Sequence, residues 1–449
     1  MENFIKRYIK GDMRIWAIFF FICIISIIEI YSAGSFFVSN KDNHTSEVLR
    51  HSVFLLIGFG FAWAVHKMPF KWVRVIAYLL LPLSGLLLFV LAVIPPSIIP
   101  NFSLGGVTLL GISVENEAAR WIVVFGVKFQ PSEIAKIALI IYLADLLTCK
   151  HHYSLLLTTI ARLRKKELTE PYAKKLKFWT SLAILLVFFF LIAPDNLSTA
   201  LLLFFVGVIL IFISNVSFWR LLLVISVSGG LAVGSIFLVQ NSSREALSKI
   251  GLERAKTWEK RVADYLGEDE STKFEYNDKS AQIIHAQIAV ARGGWLGVFP
   301  GNSVQRDYLP QAYADFIYAI IIEEMGLVGG LFVILLYMMF FYRAGIIAKK
   351  SSYDFPALLV LGLASMIVLQ AFVSIAVAVH LGPVTGQPLP LLSRGGTSVI
   401  VTWLYIGIIQ CVARSIDEAS TKNAAIKADN YETPYDLDNT EEEKTLVKK

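Results

Sequence analysis

Residues 188–205 read FFFLIAPDNLSTALLLFF. The fold turns on whether this stretch is one long apolar helix or two. Proline removes a backbone donor from a helix, and asparagine and aspartate favour turns. Pro194-Asp195-Asn196 therefore predicts two membrane spans joined by a tight turn. A helical span needs about 20 apolar residues. Outward from this turn, apolar segments fall near 13–37, 51–66, 73–95, 131–148, 178–194, 197–214, 218–239, 313–342, 355–380 and 391–413. Basic residues in short connections mark the cytoplasmic side. They cluster before the first span (Lys6, Arg7, Lys10, Arg14), at 66–75 (Lys67, Lys71, Arg74), at 149–177 and after 342 (Arg343, Lys349, Lys350). Every second connection is basic only if Pro194 separates two spans, which supports the turn.

The fold class that follows is an all-α polytopic membrane protein of about ten transmembrane helices. Both termini are expected in the cytoplasm, and residues 240–312 form a large extracytoplasmic loop between the seventh and eighth helices. The composition agrees: 56% of the 449 residues are hydrophobic and 17% charged, with a mean hydropathy of +0.62, against about 25% charge in a soluble domain. The apolar segment from Met13 is too long for a signal-peptide core of about 7–15 residues, so it is expected to stay as a span. Residues 1–413 form the transmembrane domain. The polar segment 414–449, with its Glu441-Glu442-Glu443 run, is expected to be a disordered tail. Within the large loop, 244–266 (REALSKIGLERAKTWEKRVADYL) has the pattern of a helix lying on the membrane surface.

Several function classes drop out. Cys23, Cys149 and Cys411 make neither a disulfide framework nor a metal-ligand spacing. The formal charge of +6 comes largely from membrane-flanking Lys and Arg and does not point to nucleic acid. No glycine-rich nucleotide loop is present, so ATP hydrolysis is not expected.

Chemistry concentrates at the outer face. Residues 309–326 read LPQAYADFIYAIIIEEMG, with Asp315 at the head of an apolar run. On this topology Asp315 sits at the headgroup level, where a carboxylate can reach water or a ligand. Tyr308, Tyr313, Phe316 and Tyr318 give it a partly apolar surround, which suits a general base. It reads equally as a cap on a helix start. Glu323 and Glu324 lie ~12–14 Å deeper and turn away from the Asp315 face at ~100° per residue. They read as functional groups or as halves of ion pairs, with Lys136 a possible partner. In 118–136 (AARWIVVFGVKFQPSEIAK), Arg120 falls on an outside loop, and Pro131 and Glu133 begin a helix with Lys136 one turn inward, which reads also as a capped helix start with an i,i+3 ion pair. In 382–398 (GPVTGQPLPLLSRGGTS), Arg394 stands before two glycines, as a group approached by an anion would, or as part of a rigid turn.

These motifs, with PDNLSTA and ARGGWLGVFPGNS, come in the order of the SEDS family (shape, elongation, division, sporulation), which the sequence resembles over about residues 13–413. It resembles the cell-division branch, FtsW, more than RodA. The resemblance implies a peptidoglycan glycosyltransferase that polymerises lipid II during septal wall synthesis. Asp315 would be the base, and Arg120, Lys136, Arg394, Gln282, Asn302, Ser303 and Thr385 would bind substrate. Glu133, Glu323 and Glu324 would be structural support. It also implies a class B penicillin-binding protein as transpeptidase partner, other division proteins, a divalent cation (Mg or Mn) as cofactor, and a place in the bacterial inner membrane at the septum. The sequence departs from the family pattern at Gln311, Tyr313, Pro300, Ser374 and Arg394. Two other readings stay open: a lipid II flippase, motivated by the charges within spans, and a non-catalytic division scaffold.

Overall fold

The computed structural model describes residues 10–33, 44–93, 102–104, 107–115, 118–124, 127–149, 169–194, 196–214, 226, 278–309 and 314–431. Three helices come first: α1 (Met13–Ala33), α2 (His44–Lys67) and α3 (Lys71–Val93). Strands β1 (Phe102–Leu104), β2 (Val107–Glu115), β3 (Ala118–Val124) and β4 (Val127–Phe129) follow. Then come α4 (Pro131–Thr148), α5 (Glu170–Ile192), α6 (Leu197–Ile213), α7 (Asp278–Gly293), α8 (Ile317–Lys350), α9 (Asp354–Ala378) and α10 (Gly396–Tyr431). Nine of the ten expected spans fall on these helices, while 218–239 and the amphipathic segment 244–266 lie outside the described residues.

Pro194 does separate two helices. α5 ends at Ile192 and α6 starts at Leu197, with the Asn196 side chain accepting the Thr199 N–H at 3.2 Å. Among the described residues seven helices are long and apolar enough to cross a membrane, and α6 is shorter at 17 residues. α4 carries Glu133, Lys136 and Asp145, yet 16 of its 18 residues are buried, so it is the inner helix of the bundle. Helices α3, α5, α6 and α9 pack around it. That sheath is what lets three charges reside in a membrane helix.

One end of the bundle is tied by polar contacts. Arg343 near the end of α8 pairs with Asp12, and Gln410 of α10 exchanges hydrogen bonds with the Asp12 backbone at 2.8 and 2.9 Å. Arg414 donates to the carbonyls of Lys67 and Met68. The start of α1 and the inner part of α10 therefore share one end, the end the basic residues mark as cytoplasmic. α6 and α8 both begin at the opposite, outer end.

Two features differ from the sequence reading. The outside connection 96–130 carries a four-stranded antiparallel sheet in the order β1-β2-β3-β4, added to an otherwise helical fold. β-Branched residues such as Val107, Ile112, Ile122 and Val124 suit its strands. α10 also runs on to Tyr431, well past 413, where disorder was expected to begin. Ala, Lys and Glu in 414–431 are good helix formers and extend the preceding span. Residues 432–449 lie outside the described residues.

The 34 residues of α8 would span ~51 Å as one straight helix, against ~30 Å of hydrocarbon. The helix is instead broken at Gly326, whose φ of 71° and ψ of −177° are open to glycine alone. Four hydrogen bonds close the break. Leu327 and Val328 donate to the carbonyls of Gly294 and Trp295, at 2.9 and 3.3 Å. Val298 and Phe299 donate to the carbonyls of Glu323 and Glu324, at 2.9 and 2.8 Å. Segment 294–299 thus substitutes for the missing helical bonds. Its Trp295, Leu296 and Phe299 stand exposed, 76%, 72% and 69%, beside exposed Leu327 and Val328.

A Cβ on Gly326 would collide with the Trp295 carbonyl, whereas one on Gly345 meets nothing within 4 Å. Gly326→Ala is expected to cost more than about 2 kcal/mol. Gly345→Ala should be neutral or stabilising by up to about 1 kcal/mol. Melting of the two purified variants in detergent checks the contrast.

Candidate active site

Asp315 lies one residue before the N-cap of α8, Phe316, and is half-buried at the outer end. Phe316 and Tyr318 beside it are buried, while Tyr308 is exposed and Tyr313 lies outside the described residues. Across from Asp315 runs the connection between α9 and α10. A Cβ added at Gly386 would stand 3.7 Å from Asp315 Oδ2, and Gly386 has a φ of +67°, so glycine brings that backbone alongside the carboxylate.

This connection is hung from the surrounding helices. Gln387 donates to Thr199 Oγ1 at 2.9 Å, and Ser198 to the Thr385 carbonyl at 3.3 Å. Gln370 donates to the Pro388 carbonyl at 3.0 Å, and Tyr337 to that of Pro390 at 2.5 Å. Ser26, which is 2.8 Å from His51 Nε2, donates to the Leu392 carbonyl at 3.2 Å. Ser393 links this frame to the acid. Its hydroxyl accepts the Leu389 N–H at 2.7 Å and donates to the carbonyl of Ala314, the residue before Asp315, at 2.5 Å. Thr385 Oγ1 is buried here without a partner. Arg394 follows Ser393 and is half-buried.

A second polar cluster lies under segment 298–306. Glu323 accepts from Ser303 Oγ and from the Val304 N–H at 3.2 Å, and pairs with Arg292 at 3.3 Å. Glu324 accepts from Ser32 Oγ and from the Ser303 N–H at 3.3 Å, with Arg306 at 3.8 Å. Both side chains are fully buried. They hold the segment that closes the break in α8.

The expected site residues divide between these places. Asp315 lies alongside Gly386, the neighbour of Thr385, and Ser393, the neighbour of Arg394, reaches the Ala314 carbonyl. Ser303 joins the Glu323–Glu324 cluster, and Asn302 donates to the Val298 carbonyl at 3.0 Å. Lys136 is fully buried, pairs with Glu133 at 2.8 Å, and reaches Gln370 Oε1 at 3.5 Å. It touches neither Glu323 nor Glu324, whose cations are Arg292 and Arg306, and its link to the outer loop runs through Gln370 and Pro388. Arg120 stands on β3 and Gln282 on α7, where it is half-buried. Ser393, Gln370 and Gln387 went unmarked in the sequence. Ser393 and Gln387 lie inside the quoted 382–398 motif, but a hydroxyl or amide gains its meaning only from the carbonyl it meets. Glu29, a lone acid in the first apolar run, was also unmarked, although its composition alone set it apart.

Fold and site together define a polytopic membrane protein with a half-buried carboxylate at one end of a broken helix. The family model described as a cell cycle protein, covering FtsW, RodA and SpoVE, matches residues 12–418, and the chain belongs to that family. It is 29% identical to a probable peptidoglycan glycosyltransferase FtsW of Saccharophagus degradans, over 93% of this chain and 96% of the relative. It is 30% identical to a protein of that name from Nitrosococcus halophilus, over 80% and 81% of the two chains. Among solved structures it is similar to a chain of a peptidoglycan synthase complex that coordinates polymerization and crosslinking. The TM-score there is 0.62 at 22% identity, covering 90% of this chain and 98% of that one. It is also similar to the rod shape determining protein RodA of Thermus thermophilus, with a TM-score of 0.54 at 20% identity, covering 91% and 98%.

Removing one partner of a buried pair leaves a charge uncompensated. Lys136→Met is expected to lower stability by about 3–5 kcal/mol, and Glu133→Gln in the same chain to recover most of it. Thermal unfolding of the two variants checks this.

Proposed function

We propose that the chain is a peptidoglycan glycosyltransferase, polymerising lipid II into glycan strands at the outer face of the cytoplasmic membrane during septal wall synthesis. Asp315 carries the reading. It is a half-buried carboxylate at the outer end of the bundle, alongside the Gly386 backbone. It is also the residue on which the family's essential acid falls by resemblance. Names of relatives across most of the chain point the same way.

In this reading Asp315 takes the proton of the acceptor sugar's 4-hydroxyl. The freed oxygen attacks the anomeric carbon of the donor glycan. The carbon–oxygen bond to undecaprenyl pyrophosphate breaks, and the configuration inverts. The leaving pyrophosphate carries the new negative charge, and Arg394 beside the site is a cation of the right sign to meet it. Ser393 fixes the backbone next to the base, so that the carboxylate is held in one place.

Among the described residues no three His, Cys, Asp or Glu side chains converge as metal donors. A divalent cation held by one or two carboxylates and the substrate's own phosphates needs no such cluster, and no step runs through it here. A class B penicillin-binding protein is the partner that fits, given the likeness to a chain of a peptidoglycan synthase complex. The septal location and further division proteins belong to the same proposal. The charges that motivated a flippase reading, Glu133, Lys136, Glu323 and Glu324, each have a fixed partner within the bundle and do not line an open path.

Lipid II polymerisation by the purified chain with its transpeptidase partner tests the reading. Wild type should give glycan ladders, and Asp315→Asn should lose at least about 100-fold in rate while remaining folded. Ladders at the wild-type rate from Asp315→Asn would remove the acid from the mechanism. Ser393→Ala should lose about 10- to 100-fold in kcat with little change in KM, and Ser393→Thr should restore part of it.

A further inference from the structure

Among the described residues Glu29 of α1 is the buried acid that has no ion-pair partner, whereas Glu133, Asp145, Glu323 and Glu324 each have one. It is 0% exposed, and neither of its carboxyl oxygens has a hydrogen-bond partner. It lies one helical turn inward of Ser32, on the same face of α1. Ser32 Oγ donates to Glu324 Oε1, and it accepts from the Gly301 N–H at 3.2 Å and from Arg306 at 2.8 Å. Ser32 thus brings Glu324 next to the turn of α1 that carries Glu29, and Glu324 Oε2 is itself buried without a partner. Two carboxyl groups thus present three unpartnered oxygens to one interior region between α1 and the break in α8.

The charges here can be counted. From α8 come Glu323 and Glu324; from α7 comes Arg292; from the following segment come Arg306 and half-exposed Asp307, which faces solvent. Arg292 answers Glu323 and Arg306 answers Glu324, which leaves Glu29 one positive charge short. An isolated buried carboxylate is too costly to stay unanswered. A divalent ion brings two charges and needs about six oxygen ligands. Only three oxygens are free, and Arg306 stands beside them. One positive charge that needs a single donor–acceptor line fits.

We propose that the contact between α1 and the break in α8 is a binding site for one proton, held between Glu29 and Oε2 of Glu324. The proton lets Glu29 donate a hydrogen bond to Glu324, so both orphaned carboxyls are answered at once. No covalent bond changes. The bound proton clamps the outer end of α1 to the two residues whose carbonyls receive segment 294–299. The site does not depend on the glycosyltransferase reading.

Infrared spectroscopy of the full chain in an ester-free maltoside detergent tests it. Wild type at neutral pH should show a carboxylic-acid carbonyl band that Glu29→Gln removes, with the melting midpoint shifted by no more than about 2 °C. Sodium titrated at constant ionic strength should leave the wild-type midpoint unchanged. A Glu29→Gln difference spectrum that loses carboxylate bands instead would overturn the proposal. So would a midpoint that climbs with sodium, the mark of a bound alkali ion. Should Glu29→Gln not fold, the wild-type spectrum decides alone: an acid carbonyl band at neutral pH supports the site, and its absence refutes it.

Discussion

Inside a bilayer no water is present to bond a free backbone N–H or carbonyl, so a membrane helix cannot simply stop. The rest of this protein follows from how it meets that constraint at Gly326. The chain breaks α8 there and refills the gap with the backbone of 294–299, using four hydrogen bonds. Such close approach needs glycine on both sides: a Cβ on Gly297 would strike the Glu324 carbonyl, and one on Gly326 that of Trp295. The segment must also be held in place from beneath. Glu323 and Glu324 do this through Ser303 and Arg306, which is why two carboxylates stand where an apolar helix would otherwise have none.

The repaired break and the outer loop serve one another. The short first part of α8 carries Asp315 at its head, and the connection between α9 and α10 packs alongside it. That connection has no regular structure of its own. It is fixed by side chains from α1, α6, α8 and α9, and by Ser393, whose hydroxyl ties it to the backbone before Asp315. Irregular backbone at this depth is tolerable because protein covers it.

Much of this was legible in the sequence. Pro194 and Asn196 announced two helices because turn chemistry is local. Asp315 could be singled out because an acid among aromatics is conspicuous. What was not legible depends on distant residues meeting. The sequence offered Lys136 two partners, the glutamates of α8 and, at i,i+3, Glu133, and only the packing decides between them: Glu133 takes it. The bond from the Ser303 hydroxyl to Glu323 could not be read from the sequence either. The sheet at 102–129 was hidden because its strands sit in a connection that hydropathy treats as loop.

The exposed rim of 294–299 has one more consequence. Trp295, Leu296 and Phe299 are apolar and uncovered, so they belong among acyl chains, and the two arginine-tied ends of α1 and α8 belong in the opposite headgroups. These two anchors fix the vertical position of the molecule in the bilayer. Eleven residues separate Gly326 from Asp315, no more than ~16 Å of helix. The carboxylate therefore rides at a set altitude above the hydrocarbon, as on a surveyor's staff. Any molecule whose tail remains in the outer leaflet can present to Asp315 only those atoms that its own headgroup lifts to that height.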